Sequence, residues 1–244
     1  MTLPFRISTA TFSLALAAIV ATTGRVVAQE SNPDASRRER EAMVALIADR
    51  GVKDAATLAA MRAIPRHEFV PAEYREQAYA DHPVPIGLGQ TISQPYIVAY
   101  MTERARPRRG LKVLEVGTGS GYQAAVLAHT GAKVFTIEIF EPLATSARAR
   151  LERLGYRAAV RHGDGHFGWP EEAPFDVILV TAAAGYIPPA LVAQLKPGGR
   201  MIIPVGAIHG TQHLILVTKD EAGAVSTRSL LPVRFVPLLR STEQ

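Results

Sequence analysis

The sequence has 244 residues, a formal charge of +5 and no cysteine. That length holds one large domain or two small ones with a real core, and the missing thiols exclude a disulfide scaffold, cysteine-ligated zinc, iron–sulfur clusters and a thiol nucleophile. The basic balance alone leaves a nucleic acid or a membrane surface open as partner.

Residues 1–28 read as a secretory leader. Arg6 supplies positive charge, Phe12 to Ala21 is apolar except for Ser13, and Val26-Val27-Ala28 gives a small-residue end. The uncharged run from Ile7 to Gly24 carries six Ser or Thr residues, and falls short of the roughly 20 apolar residues of a spanning helix. Cleavage after Ala28 would remove Arg6 and Arg25 and lower the charge from +5 to +3. The leader predicts a periplasmic or secreted protein, or a cytoplasmic one if it does not function.

Residues 29–35 are polar and form a linker. A helical extension and cover is expected over 36–110, and a doubly wound core over 111–244, together one continuous domain. Helical periodicity starts near Ser36, with Met43, Leu46 and Ile47 on one face and Gly51 as the stop. Asp54 can cap a second helix that Pro65 ends. The stretch from His67 to Gln94 shows little regular pattern, and such long irregular stretches tend to be functional. A helix follows over Tyr96–Glu103, and the four arginines from Arg104 to Arg109 read as solvated charge at its end.

After Gly110, strands and helices alternate. Lys112–Val116, Val134–Glu138, Ala158–Arg161, Asp176–Val180 and Arg200–Pro204 are predicted strands. Helices are expected over Tyr122–His129, through Leu143, Ala147 and Leu151, and over Leu191–Leu195. His213–Thr218 and Thr227–Val236 lack a helix between them and predict an antiparallel hairpin. The pattern specifies an α/β fold, a Rossmann-like, mainly parallel sheet with helices on both faces and a C-terminal hairpin.

The segment Val113–Tyr122 places a glycine turn between a strand and a helix, where a ligand can approach the backbone closely. Its spacing, Gly117-x-Gly119-x-Gly121, differs from the G-x-G-x-x-G dinucleotide fingerprint. Glu115 would repel a pyrophosphate but suits an ammonium or a sulfonium. Glu138 ends the second strand, 21 residues after Gly117, where doubly wound folds place an acid on ribose hydroxyls. Asp164, after the third strand, can accept a bond from an adenine amino group. This ordered set of acids resembles the S-adenosylmethionine site of Rossmann-like methyltransferases.

The resemblance narrows to one family, the protein-L-isoaspartate O-methyltransferases. It is carried by Pro65-Arg66-x-x-Phe69-Val70, the segment Pro85–Pro95, Leu114–Gln123, His162–Gly165, Ala173–Ala183, Leu195–Gly199, Ile203–Gly206 and Arg234–Leu238. The Gln90–Pro95 stretch is the specific part, since many methyltransferases share the glycine loop. The resemblance implies that Glu115, Gly117, Thr118, Gly119, Gly121, Glu138, Asp164 and Gly165 hold S-adenosylmethionine. It also implies that Thr91 and Ile92 form the floor between cofactor and substrate, that Thr181, Ala182 and Ala183 line the substrate slot, and that Ser93 is catalytic.

The implied nucleophile is the free α-carboxylate of an L-isoaspartyl residue, and the methyl ester then collapses to a succinimide. With a pKa of roughly 4 that carboxylate is already ionised, so no general base is required. Ser93 therefore reads as a hydrogen-bond donor that positions the carboxylate, with a helix N-cap as its alternative role. A methyltransferase acting on nucleic acid or a small molecule stays open, though Val180-Thr-Ala-Ala183 stands where amino-methylating enzymes carry Asn/Asp-Pro-Pro-Tyr/Phe. A non-catalytic binder of isoaspartyl peptides is a third possibility. The expected partners are isoaspartyl proteins and peptides, without nucleic acid, metal or stable membrane association, and the chain is expected to be a monomer.

Overall fold

The computed structural model describes residues 1–2, 33–207 and 210–241. The expected leader, apart from its first two residues, lies outside them. The chain divides into Met1–Ser31 and Asn32–Gln244, and the second unit has the following architecture.

It begins with α1 (Pro33–Asp49) and α2 (Ala55–Ala63). Pro33 opens α1 three residues before the expected start; its fixed φ suits a first helical position. Met43, Val44 and Ile47 make the buried face, whereas Leu46 is 44% exposed, a correction to the expected stripe. Asp54 caps α2 through Thr57, whose N–H and hydroxyl donate to Oδ2 at 2.9 and 2.7 Å. The 67–94 region is less irregular than its sequence suggests. It carries 3₁₀ turns at Arg66–Phe69 and Ala72–Gln77, then an antiparallel hairpin of β1 (Val84–Gly87) and β2 (Gln90–Ile92). Helix α3 (Pro95–Ala105) follows.

The core alternates β3 (Lys112–Val116), α4 (Tyr122–His129), β4 (Lys133–Glu138), α5 (Glu141–Arg153), β5 (Ala158–His162), β6 (Phe175–Val180), α6 (Pro189–Gln194) and β7 (Leu195–Gly206). Strands β8 (Gln212–Lys219) and β9 (Val225–Val233) complete a seven-stranded sheet in the order β5-β4-β3-β6-β7-β8-β9. Strands β3 to β7 pair in parallel, and β8 and β9 are antiparallel. Most strand boundaries shift by one or two residues, and two differ from expectation by three or more. Leu195 begins a strand, with Lys196–Gly199 bulging between the Phe175–Leu195 and Val177–Arg200 pairs. At the other end β9 stops at Val233, and the next residues cross to the end of β6, where Ala183 bridges Pro237.

Alternate residues of each strand enter opposite layers, because successive side chains point to opposite faces. Val113, Val134, Leu179 and Ile202 join one core with α1 to α5, while Leu114, Val116, Ile178 and Met201 join the other with α6. By this parity Glu115 points into the first layer, a carboxylate among apolar neighbours.

Candidate active site

The strand order reverses between β3 and β6, and open α/β sheets bind ligands at the carboxyl ends of the strands at such a switch point. Both loops that leave these strands meet there. The Thr181 hydroxyl, just after β6, donates to the Gly117 carbonyl at 2.6 Å, with the Val116 carbonyl at 3.0 Å. Gly117 has φ +99°, and a Cβ at this position would overlap that hydroxyl. Glycine is therefore required both by the left-handed backbone and by the close approach.

Two acids stand below the loop. Glu115 is fully buried, and parallel register sets Thr136 opposite it. The Thr136 hydroxyl donates to Glu115 Oε2 at 2.6 Å, while Oε1 is buried with no hydrogen-bond partner. Burial raises the Glu115 pKa to about 8, against the Thr136 bond that lowers it, with nearby Glu138 adding to the rise. Glu138 holds the loop itself, for Oε2 accepts from the Gly119 N–H at 2.7 Å and Oε1 from the Phe140 N–H at 3.1 Å.

Three cavities adjoin here, and Thr91 and Thr181 line all of them. One has Val116, Gly119, Glu138, Gly165, Ala182 and Leu238 in its walls. A second is formed by Ile92, Ser93, Glu115, Gly117 and Thr118. The third, of ≈ 430 Å³, is lined by Ser93, Gln94, Phe235, Val236 and Arg234, its only ionisable side chain among the described residues. Ser93 thus borders both the acid-lined cavity and the wide one. The buried unpartnered oxygen of Glu115 and the cradle kept open at Gly117 fit a cationic ligand such as S-adenosylmethionine.

The segment that carries Ser93 is held from below by a residue to which sequence reasoning gave no role. Arg66 is fully buried, and donates from Nε to the Ala78 carbonyl and from Nη2 to the Ser93 carbonyl, both at 2.7 Å. Its guanidinium carbon lies 4.8 Å from the centre of the Tyr122 ring. Burial lowers its pKa to about 10, so it remains charged at neutral pH. The signal lay in Pro65-Arg66, but an arginine's burial cannot be read from its type. Asp81 fixes the other side of the segment, accepting from the Gln94 side chain at 2.8 Å and the Tyr96 N–H at 3.0 Å. This corrects the N-cap expectation for Ser93: Gln94 is the N-cap residue without a side-chain bond, and Asp81 satisfies the helix N–H.

Three other expected site residues lie outside these walls. Asp164 is turned away, its Oδ1 accepting from the His166 N–H at 2.9 Å and its Oδ2 from the Ser241 N–H at 3.1 Å. Burial raises its pKa, but those donors outweigh it and leave the carboxyl below its usual range. Gly165 takes its place in the wall, packed so closely on Val116 that a Cβ would overlap it. Ala183 is spent on the C-terminal segment, donating to the Val236 carbonyl at 2.8 Å and accepting from the Leu238 N–H at 2.7 Å. Gly121 begins α4 and faces Leu151 and Ala147. Val236 to Leu239 also wall the cavity that Gly165 lines; Val236 reads in the sequence as the end of a strand, and nothing in the three residues after it marks a site.

Residues 37–243 match the family model for protein-L-isoaspartate(D-aspartate) O-methyltransferase. The chain is 62% identical over 186 residues to protein-L-isoaspartate O-methyltransferase 2 of Polaromonas sp., covering 76% of this chain and 88% of that protein. A solved protein-L-isoaspartate O-methyltransferase superposes with a TM-score of 0.71 at 31% identity, covering 81% of this chain and 65% of that one. A structure from Plasmodium falciparum in complex with S-adenosyl-L-homocysteine gives a TM-score of 0.73 at 26% identity, covering 83% of this chain and 99% of that one.

Proposed function

The chain belongs to the protein-L-isoaspartate(D-aspartate) O-methyltransferase family, and from that premise we propose a division of labour among the three adjoining cavities. The protein is an S-adenosylmethionine-dependent enzyme that methylates isoaspartyl proteins for repair. When bound, that cofactor supplies a methyl group on a sulfonium. Glu115 and the Gly117–Gly119 backbone would hold its charged end, and Glu138 and Gly165 would face its nucleoside. The wide cavity takes the isoaspartyl peptide. Thr91 and Thr181, common to all three cavities, stand at the point of transfer.

The observation that carries this assignment is the charge of the wide cavity, whose described lining is neutral apart from Arg234. A cation without a carboxylate beside it favours an anionic substrate, and the free α-carboxylate is ionised at neutral pH. Among the described residues no His, Asp or Glu lines that cavity, and none is needed to remove a proton. Ser93 donates a hydrogen bond that aligns the carboxylate, and the rate gain comes from alignment and exclusion of water. The apolar leader of residues 1–28 supports export of the enzyme to the periplasm or beyond.

Replacing Arg234 with Gln and Ser93 with Ala separates the two roles. Loss of a charge-assisted hydrogen bond of about 1.5–3 kcal/mol raises KM for an isoaspartyl peptide roughly tenfold or more in Arg234→Gln, with cofactor affinity unchanged. Ser93→Ala lowers kcat. Full activity in Ser93→Ala would remove Ser93 from the reaction, and an unchanged KM in Arg234→Gln would remove Arg234 from substrate capture.

A further inference from the structure

We propose that an arginine-lined cleft at the opposite end of the sheet binds the phosphate chain of a small polyphosphate compound. The cleft lies where the parallel strands begin. Arg200 pairs with Val177 near the start of β6, and Arg228 of β9 pairs with Leu216 of β8. The methyl-transfer cavities lie at the carboxyl ends of β3 and β6 and share no lining residue with it.

The cleft measures ≈ 660 Å³, with Leu216 in its lining and six cations around it: Lys53, Arg104, Arg106, Arg108, Arg200 and Arg228. Among the described residues only two carboxylates, Asp54 and Glu103, line it, and both are engaged. Glu103 Oε1 accepts from the N–H groups of Lys53 at 2.6 Å and Asp54 at 2.8 Å. Asp54 accepts from Thr57 and lies 3.3 Å from Arg108. The side chains of Arg106 and Arg228 have no hydrogen bond or ion pair among the described residues. Arg200 donates only to the Arg104 carbonyl, at 3.2 Å.

These three guanidinium groups feel one another. Burial lowers the Arg200 pKa first, and the charges of Arg106 and Arg228 lower it further. Arg106 is also held in the left-handed region, at φ +55°, where its N–H donates to the Thr102 carbonyl and ends α3. Glycine or asparagine is the usual choice at such a helix end. Like charges facing one hollow repel unless an anion joins them, and guanidinium forks match phosphate oxygens bidentately. A concave hollow with its cations around one centre suits a compact, multiply charged ligand. Duplex nucleic acid would instead call for a basic stripe along the surface.

The test is calorimetric titration of the full chain with inorganic tripolyphosphate, orthophosphate and a nucleoside triphosphate at about 0.15 M salt. The expected result is one saturable site, with tripolyphosphate at least tenfold tighter than orthophosphate. The double variant Arg106→Asn/Arg228→Gln should weaken it tenfold or more, with methyl transfer to an isoaspartyl peptide unchanged as proof of folding. Asparagine at 106 tolerates the left-handed backbone. Equal affinity for tripolyphosphate and the nucleotide assigns recognition to the phosphates alone, and a tighter nucleotide adds contacts to its nucleoside. Absence of saturable binding, tripolyphosphate no tighter than orthophosphate, or affinity unchanged in the double variant would overturn the proposal.

Discussion

The buried guanidinium of Arg66 donates at 2.7 Å to the main-chain carbonyl of Ser93, and so fixes the backbone of the residue expected to align the substrate. Among the described residues no carboxylate bonds the arginine directly, although the charge of Asp81 favours its ionised form; the Ala78 and Ser93 carbonyls and the face of Tyr122 hold it. Replacing Arg66 with Met would leave both carbonyls without this donor, at about 1–3 kcal/mol for each that stays buried and unpaired. The prediction is a lower melting temperature, and a loss of kcat that exceeds any change in cofactor affinity. Arg66→Lys, which keeps the charge and part of the bonding, should recover some of that kcat. Stopped-flow or steady-state kinetics beside cofactor titration checks the split.

Glu115 gives a prediction about pH. Burial raises its folded pKa from the ordinary 4.5 to about 8. The folded state therefore holds a proton that the unfolded chain releases above pH 4.5. The stability this group contributes falls as pH rises from about 4.5 to about 8, then levels off. Glu115→Gln removes the ionisable group, so its melting temperature should exceed the parent's by more at pH 8 than at pH 5, at roughly 2–4 °C per kcal/mol for a domain of this size. The same variant should bind S-adenosylmethionine more weakly. In the parent protein, a cationic ligand beside Glu115 should displace its proton at pH 7. Calorimetry in buffers of different ionisation enthalpy detects that release.

Gly165 tests the wall that replaced Asp164. Its φ is not in the left-handed region, so alanine is opposed only by Val116, whose side chain a Cβ would overlap. Overpacking of this kind costs about 1–3 kcal/mol. Gly165→Ala should weaken cofactor binding about tenfold, and the second change Val116→Ala should recover part of it. No recovery would mean that the two side chains do not share the cofactor wall.

Much of the core was legible because each strand obeys one pattern. Lys112–Val116 and Tyr122–His129 match the predicted bounds, since a short apolar run, a glycine turn and a mostly apolar helix buried nearly all round leave few other arrangements. Glu115, Gly117 and Glu138 come together because they lie at or near strand ends and β3 pairs in parallel with β4. What was illegible depends on long-range packing. The burial of Arg66 requires Ala78 and Ser93, 12 and 27 residues away. Asp164 offers an acid at a strand end, but Ser241, 77 residues later, takes its outer oxygen. The hairpin over Val84–Ile92 escaped notice because its Pro and Gly content masks alternation, and its strands are only four and three residues long.

Export rests on the leader alone, and cell fractionation followed by sequencing of the mature amino terminus checks it. The expected product begins at Gln29 and is found outside the cytoplasm. A cytoplasmic protein that retains residues 1–28 would refute export and leave the chemistry untouched.

The central claim is that the wide, Arg234-lined cavity selects an isoaspartyl carboxylate for methylation. It is tested most directly by incubating the purified protein and labelled S-adenosylmethionine with two peptides that differ only in an L-isoaspartyl or an L-aspartyl residue. The account predicts methyl ester on the isoaspartyl peptide and none above background on its isomer. Equal labelling of both peptides, or none on either while the cofactor binds, would contradict it.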